Sequence, residues 1–198
     1  MMLQYLYKNW AQAGMLIAIY VTLVLLCMAP QLDTYLLLIW LQFPVYLVHE
    51  FEEHAYPGGF KNFINKMVFH IQDQDIPLTD KRVFWINILA VWVLFPLTAV
   101  ATQYIDPALG ILTPCFSLLN ASLHIINGVG RRLYNPGILI SIFLNYPIGL
   151  YTLYLAHTKG YLLYSYLAFA VLFSLAVHLA MGFMAFYWYR IGIKNKAL

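Results

Sequence analysis

In a 198-residue chain with only eight acidic residues, three stand together in His49-Glu50-Phe51-Glu52-Glu53-His54. On a helix, positions i, i+3 and i+4 are neighbours, so His49, Glu52 and Glu53 share one face and Glu50 pairs with His54 on the next. Downstream, Asn120, His124, Asn127 and Arg131 recur at helical spacing, and His178, Asn145 and Asn87 stand in apolar surroundings. Imidazole and carboxylate are the donors of catalytic zinc sites, which use three protein ligands and keep a fourth position for water. His49, His124 and His178 form such a set, with Glu52 as a further ligand. Glu52 or Glu53 then acts as the base toward a metal-bound water of lowered pKa. Asn120, Asn127, Arg131 and Asn145 are placed to orient a substrate or to hold a ligating side chain by hydrogen bonds. Zinc is the expected metal and iron the second choice. Carboxylate-bridged di-iron bundles pair Glu-x-x-His motifs with further glutamates, whereas the order here is His-x-x-Glu-Glu and the other histidine-bearing stretches lack an acid.

Other readings of the same residues stay open. Without a metal, a carboxyl group in a low-dielectric chamber can share its proton with a histidine, which suits acid–base chemistry or proton transport. For Glu50 and His54 a solvated cap at the headgroup level is the simpler reading, and for His178 an interhelical hydrogen bond competes with ligation. Glu52 and Glu53 end a helix, where the dipole disfavours negative charge. A metal, Arg131 or a protonated histidine is therefore expected beside them.

The elements that position these groups are membrane helices. Hydrophobic residues make up 63% of the chain and charged residues 10%, against about 25% in soluble domains, and the mean hydropathy is +0.73. A bilayer core takes roughly 20 apolar residues of helix. Six stretches qualify, at about 10–29, 34–54, 83–104, 108–129, 137–156 and 161–189. All lysines and arginines except Lys159 fall before the first, between the second and third, between the fourth and fifth, or after the sixth. The positive-inside rule makes that side cytoplasmic and puts both termini there. His49, His124 and His178 then lie about 15 to 17 residues into spans that run inward, roughly 23–26 Å from their outer ends. This is a polar layer in the cytoplasmic half.

The first stretch follows Lys8 like a signal peptide, but it is long and Pro30-Gln31 is a poor cleavage site, so it reads as a retained helix. Between the second and third stretches, Phe60, Phe63, Ile64, Met67 and Val68 recur at helical spacing among Lys61, Asn62, Asn65 and Lys66. That pattern predicts a short interfacial amphipathic helix, as a tether to the leaflet or, less simply, a lid. Cys27 and Cys115 lie in apolar runs as fillers, and no basic, aromatic-interleaved surface offers a nucleic-acid site. No linker divides the chain, so residues 1–198 read as a single integral membrane domain.

His49-Glu50-Phe51-Glu52-Glu53 resembles the defining motif of the HXXEE domain proteins, small polytopic membrane proteins without an established function. Asn120-Ala121-Ser122-Leu123-His124 followed by Tyr134-Asn135-Pro136-Gly137 resembles that family's Asn-x-x-x-His and Tyr-x-Pro-Gly blocks, and Pro147 also fits. Asn135 stands where a serine is common. The likeness covers roughly residues 35–179. It implies the membrane fold and marks His49, Glu52, Glu53, Asn120 and His124 as the family's polar residues, but it supplies no reaction. The expected protein is an all-α polytopic bundle of six spans. It is expected to act as a metal-dependent, hydrolase-like enzyme on a lipid or other apolar substrate from the cytoplasmic leaflet. A proton-coupled transporter or lipid-binding protein without covalent chemistry is the alternative.

Overall fold

The computed structural model of the chain describes residues 2–72 and 75–196. It is all-helical among the described residues. In order come α1 (Met2–Met28), α2 (Thr34–His54), a short helix α3 (60–68), α4 (Asp80–Tyr104), α5 (Leu112–Arg131, entered through a 3-10 turn at Pro107–Ile111), α6 (Ile138–Thr158) and α7 (Tyr164–Lys196). Helices stand at all six expected positions; α1 begins eight residues early and α4 three, and the entries to α2, α4 and the turn before α5 are capped. Asp33 accepts from the Tyr35 amide at 2.9 Å, Thr79 from Arg82 at 3.2 Å, and Asp106 from Ala108 at 2.8 Å. Such caps satisfy amides that have no partner within the helix.

Five of these helices, α1, α4, α5, α6 and α7, are long and apolar enough to cross a membrane. Their outward faces carry large apolar side chains, with Leu16 70% exposed, Phe143 68% and Phe183 70%. Contiguous exposure of this kind marks a surface that meets an apolar medium. The sixth helix, α2, has 21 residues but carries Gln42, His49, Glu50, Glu52 and Glu53, and all five are buried. Its polar side chains are hidden because α1, α4, α5 and α6 surround it, while α7 lies against α5.

Three apolar clusters stack along the bundle. Tyr35, Ile39, Ile111 and Ala170 fill one end, Leu47, Phe95 and Phe116 the middle, and Trp10, Phe84 and Ala185 the other end. The first end is tied by an ion pair of Lys159 with Asp33 at 2.8 Å and by the Tyr166 hydroxyl donating to Asp106 at 2.7 Å. The Lys159 ammonium holds the Asp33 carboxyl below its usual range. Lys8, Lys61, Arg82 and Arg131 gather at the opposite end.

Two wide π turns interrupt the long helices, at Ile88–Val93 in α4 and at Ser141–Asn145 in α6. A π turn shifts the face that follows it and often accompanies a functional position. Here the two segments hold Trp92, Ser141 and Asn145, all turned inward.

Close approach of α5 and α6 depends on Gly149, where an added Cβ would stand 2.9 Å from Cγ of Leu118. At Gly182 nothing lies within 4 Å. Gly149→Leu should cost about 1–3 kcal/mol by overpacking and lower the thermal midpoint in detergent, whereas Gly182→Leu should leave it unchanged. Equal midpoints for the two variants would show that the α5–α6 seam is not set by Gly149.

Candidate metal centre

The last two turns of α2 carry five ionisable side chains, of which His49, Glu50, Glu52 and Glu53 are buried. His49 is 0% exposed, Glu53 4% and His124 of α5 5%. Nε2 of His124 lies 3.0 Å from one Glu53 carboxylate oxygen, and Nε2 of His49 lies 3.5 Å from the other. Among the described residues these three are the one group of His, Cys, Asp or Glu donors placed to hold a metal ion, with one ligand atom from each within 4.8 Å of the others. Donors on a tetrahedral zinc with bonds of 2.0–2.1 Å stand about 3.3 Å apart, so the observed spacings suit such an ion. Both ring nitrogens of His49 and Nδ1 of His124 are buried without a hydrogen-bond partner. Buried polar atoms are normally paired, and a cation between the rings would engage Nε2 of His49, leaving the two Nδ1 atoms as they are.

A third imidazole completes the surroundings of Glu53. Nε2 of His54 lies 3.4 Å from the same oxygen that His49 approaches. Its ring packs on Trp10 at 5.1 Å and on Phe60 at 5.5 Å. No lysine or arginine pairs with Glu53 among the described residues. An unpaired buried carboxylate is very costly, so the three histidines, or an ion among them, carry the compensation. The sequence pattern had paired His54 with Glu50 as a solvated cap. Glu50 is instead 0% exposed and accepts from the Trp92 indole at 2.9 Å.

Glu52 has a different place from the ligand or base expected of it. One carboxylate oxygen accepts from the Tyr134 hydroxyl at 2.7 Å and from the Leu139 amide at 3.0 Å, and the other from the Ile140 amide at 2.7 Å. It thus caps the start of α6, where free amides and the positive end of the helix dipole favour an anion. Burial and the neighbouring Glu52 carboxylate push the Tyr134 hydroxyl up from its ordinary range.

This clamp seats the turn Tyr134-Asn135-Pro136-Gly137 on the centre. The Asn135 amide donates to the His124 carbonyl at 3.0 Å. Gly137 has φ +95°, and a Cβ there would meet His49 at 2.7 Å, Glu53 at 2.8 Å and His124 at 3.0 Å. Only glycine satisfies both the left-handed backbone and the contact.

The remaining expected site residues divide. Asn120 donates to the Tyr46 hydroxyl, and the Tyr46 ring meets His49 edge-on at 5.1 Å. Asn145 is buried with both amide atoms unpaired. Asn127 and Arg131 continue the His124 side of α5 toward its end, where Asn127 is half-buried and Arg131 exposed. Their side chains go to backbone carbonyls, Asn127 to Leu123 at 2.8 Å and Arg131 to Met67 at 3.0 Å. Arg131 therefore does not neutralise the α2 acids.

His178 is not with the other two histidines. Its Nδ1 lies 2.7 Å from the Ser174 carbonyl, and its ring packs at a tilt on Phe116 at 4.8 Å. Phe116 in turn packs against Tyr46. The cause is packing: α7 lies mainly against α5, so His178 turns to Phe116 there.

The family model described as "protein of unknown function with HXXEE motif" matches residues 40–152. The chain belongs to this family. In HXXEE terms, the first and last lettered residues, His49 and Glu53, meet His124 at the centre, and Glu52 locks the turn across it. No curated protein and no solved structure matches the chain.

A pocket of about 210 Å³ reaches the centre from the basic end, with Glu53 and His54 in its wall beside Lys8, Lys61, Asn62 and Asp80. Phe60 of α3 stands at its inner side, 5.8 Å from the His124 ring. Phe60 and Ile64 pack inward, so α3 covers the centre.

Removing the Glu52 clamp leaves two amides and a hydroxyl unpaired. Glu52→Ala should destabilise by roughly 2–4 kcal/mol, and Tyr134→Phe by about 1. Hydrogen exchange of the Leu139 and Ile140 amides should accelerate in Glu52→Ala and stay slow in Tyr134→Phe. Unchanged protection in Glu52→Ala would show that α6 is anchored by something else.

Proposed function

We propose that this protein is a metal-dependent enzyme embedded in the membrane, with zinc held by His49, Glu53 and His124. The observation that carries the reading is the buried trio itself, with ligand atoms at metal-site spacing and imidazole nitrogens left unpaired. The whole chain forms one integral domain of six spans. α2 is the sixth, its polar load shielded from lipid by its neighbours, as buried ionisable residues of membrane helices require. Both termini and the centre lie toward the cytoplasm, where Lys8, Lys61, Arg82 and Arg131 gather. The helix α3 lies along that interface and covers the pocket.

A bound zinc polarises an oxygen and makes water a usable nucleophile near neutral pH. The protein's own groups then have distinct tasks. Glu53 and the two histidines bind, and the caps on Glu52 and Asn135 keep them in place. His54 lines the pocket and touches the Glu53 carboxylate, which suits it to accept and return a proton. It takes the role first given to Glu52 or Glu53. The pocket is small and its wall is polar, so it admits a polar headgroup or ester rather than an acyl chain. Hydrolysis of a lipid at its headgroup, from the cytoplasmic leaflet, fits this shape.

One feature favours a second reading, a proton-carrying membrane protein. An uncharged polar track leads from His49 away from the basic end. Beside His49, Asn120 donates to the Tyr46 hydroxyl, and one turn further along α2 Gln42 donates to Thr152 at 3.2 Å and accepts from Ser117 at 3.3 Å.

Elemental analysis of the detergent-purified protein separates the two. The wild type and His178→Ala should hold near-stoichiometric zinc, and His49→Ala and His124→Ala should lose it. A wild type that stays metal-free after purification without chelators and after zinc supplementation would overturn the enzyme reading and leave the proton-carrying one.

A further inference from the structure

On the side of α4 facing away from the His/Glu centre, α4 and α7 diverge and leave a groove of about 770 Å³. Its walls are apolar, with Leu89, Ala90 and Leu94 on α4 and Phe173, Val177 and Met181 on α7. At the basic end of the bundle the character changes within one turn. Lys81 and Arg82 form the mouth together with Trp188. The Arg82 guanidinium is held open over the Trp188 ring at 4.6 Å, and it donates to the Pro77 carbonyl at 2.6 Å. Among the described residues no carboxylate pairs with Lys81 or Arg82. Both also sit in the first turn of α4, where the helix dipole favours an anion.

We propose that this groove binds one anionic phospholipid, with its phosphate on Lys81 and Arg82 and an acyl chain between α4 and α7. The occupant follows from complementarity along the groove's length. Two unneutralised cations at the membrane boundary meet a phosphodiester, the Trp188 indole suits the headgroup level, and the walls beyond offer nothing but hydrocarbon contact. A zwitterionic lipid would leave part of the positive charge unanswered, and a soluble anion would leave the groove empty. The site is separate from the metal centre and stands whether or not that centre binds zinc.

Native mass spectrometry of the detergent-solubilised full chain, with added phosphatidylglycerol or phosphatidylcholine, tests the proposal. The wild type should retain one phosphatidylglycerol with about thirtyfold preference over phosphatidylcholine, as expected for two basic contacts. Lys81→Gln with Arg82→Gln should abolish the preference. Ala90→Trp, which fills the groove and keeps both charges, should reduce retention of both lipids. Monodispersity on size exclusion checks each variant. Equal retention of the two lipids by the wild type overturns the proposal. So does a preference that survives the charge variant, or retention that survives Ala90→Trp. A dimer that carries no lipid and dissociates on Ala90→Trp would assign the groove to a second copy of the chain and overturn it as well.

Discussion

An acid in the last turn of a helix faces the negative end of that helix's own dipole. Glu52 and Glu53 both occupy this position on α2, and both are buried. Neither could remain ionised there without a strong local answer, and each receives a different one. Glu52 is turned across to the start of α6, so that the C-terminal end of one helix meets the N-terminal end of another through a shared anion. Glu53 is turned inward to His49, His54 and His124. The placement of α5, α6 and the 134–137 turn follows from satisfying these two carboxylates.

The same constraint explains how the helices are arranged. A helix with five buried polar and charged side chains cannot face hydrocarbon, so α2 takes the centre and the apolar helices surround it. Polar contacts within the bundle follow α2 along its length, from Gln42 through Tyr46 to His49 and Glu50. The partners are supplied by Trp92 of α4, by Ser117, Asn120 and His124 of α5, and by Thr152 of α6. Helix α7 supplies none of them. It contributes an apolar flank and, with α4, the groove.

The helices themselves were legible in the sequence, because apolar runs of membrane length leave few alternatives. The meeting of His49 and Glu53 with His124 followed from periodicity and depth. Counting residues fails where it depends on which helices are neighbours: His178 has the right depth by count, but α7 packs mainly on α5. Counting also fails within a cluster. The i, i+3, i+4 rule puts Glu52 and Glu53 on one face, yet their side chains diverge, because a helix start lies within reach of one and imidazoles within reach of the other. Glu50 looked like a solvated cap because its partner, Trp92, is distant in sequence and is aimed inward from a π turn. His54 was set aside because i, i+4 spacing paired it with Glu50, whereas its ring meets the carboxylate of Glu53. The clearest missed signal was Gly137: a glycine just before a helix, in a Tyr-x-Pro-Gly turn, points to a close backbone approach.

Each acid of the motif ties α2 to a different helix. Glu50 reaches α4 through Trp92, Glu52 reaches α6 through two amides, and Glu53 reaches α5 through His124. A substitution at any of them therefore disturbs the bundle as well as any chemistry, and loss of function there cannot separate the two. His54 is different. It contacts Glu53 and lines the pocket, but its other neighbours are the rings of Trp10 and Phe60 and a 3.5 Å approach from Asn87. None of the three ties depends on it. If a proton moves in this site, His54 is where chemistry and stability come apart.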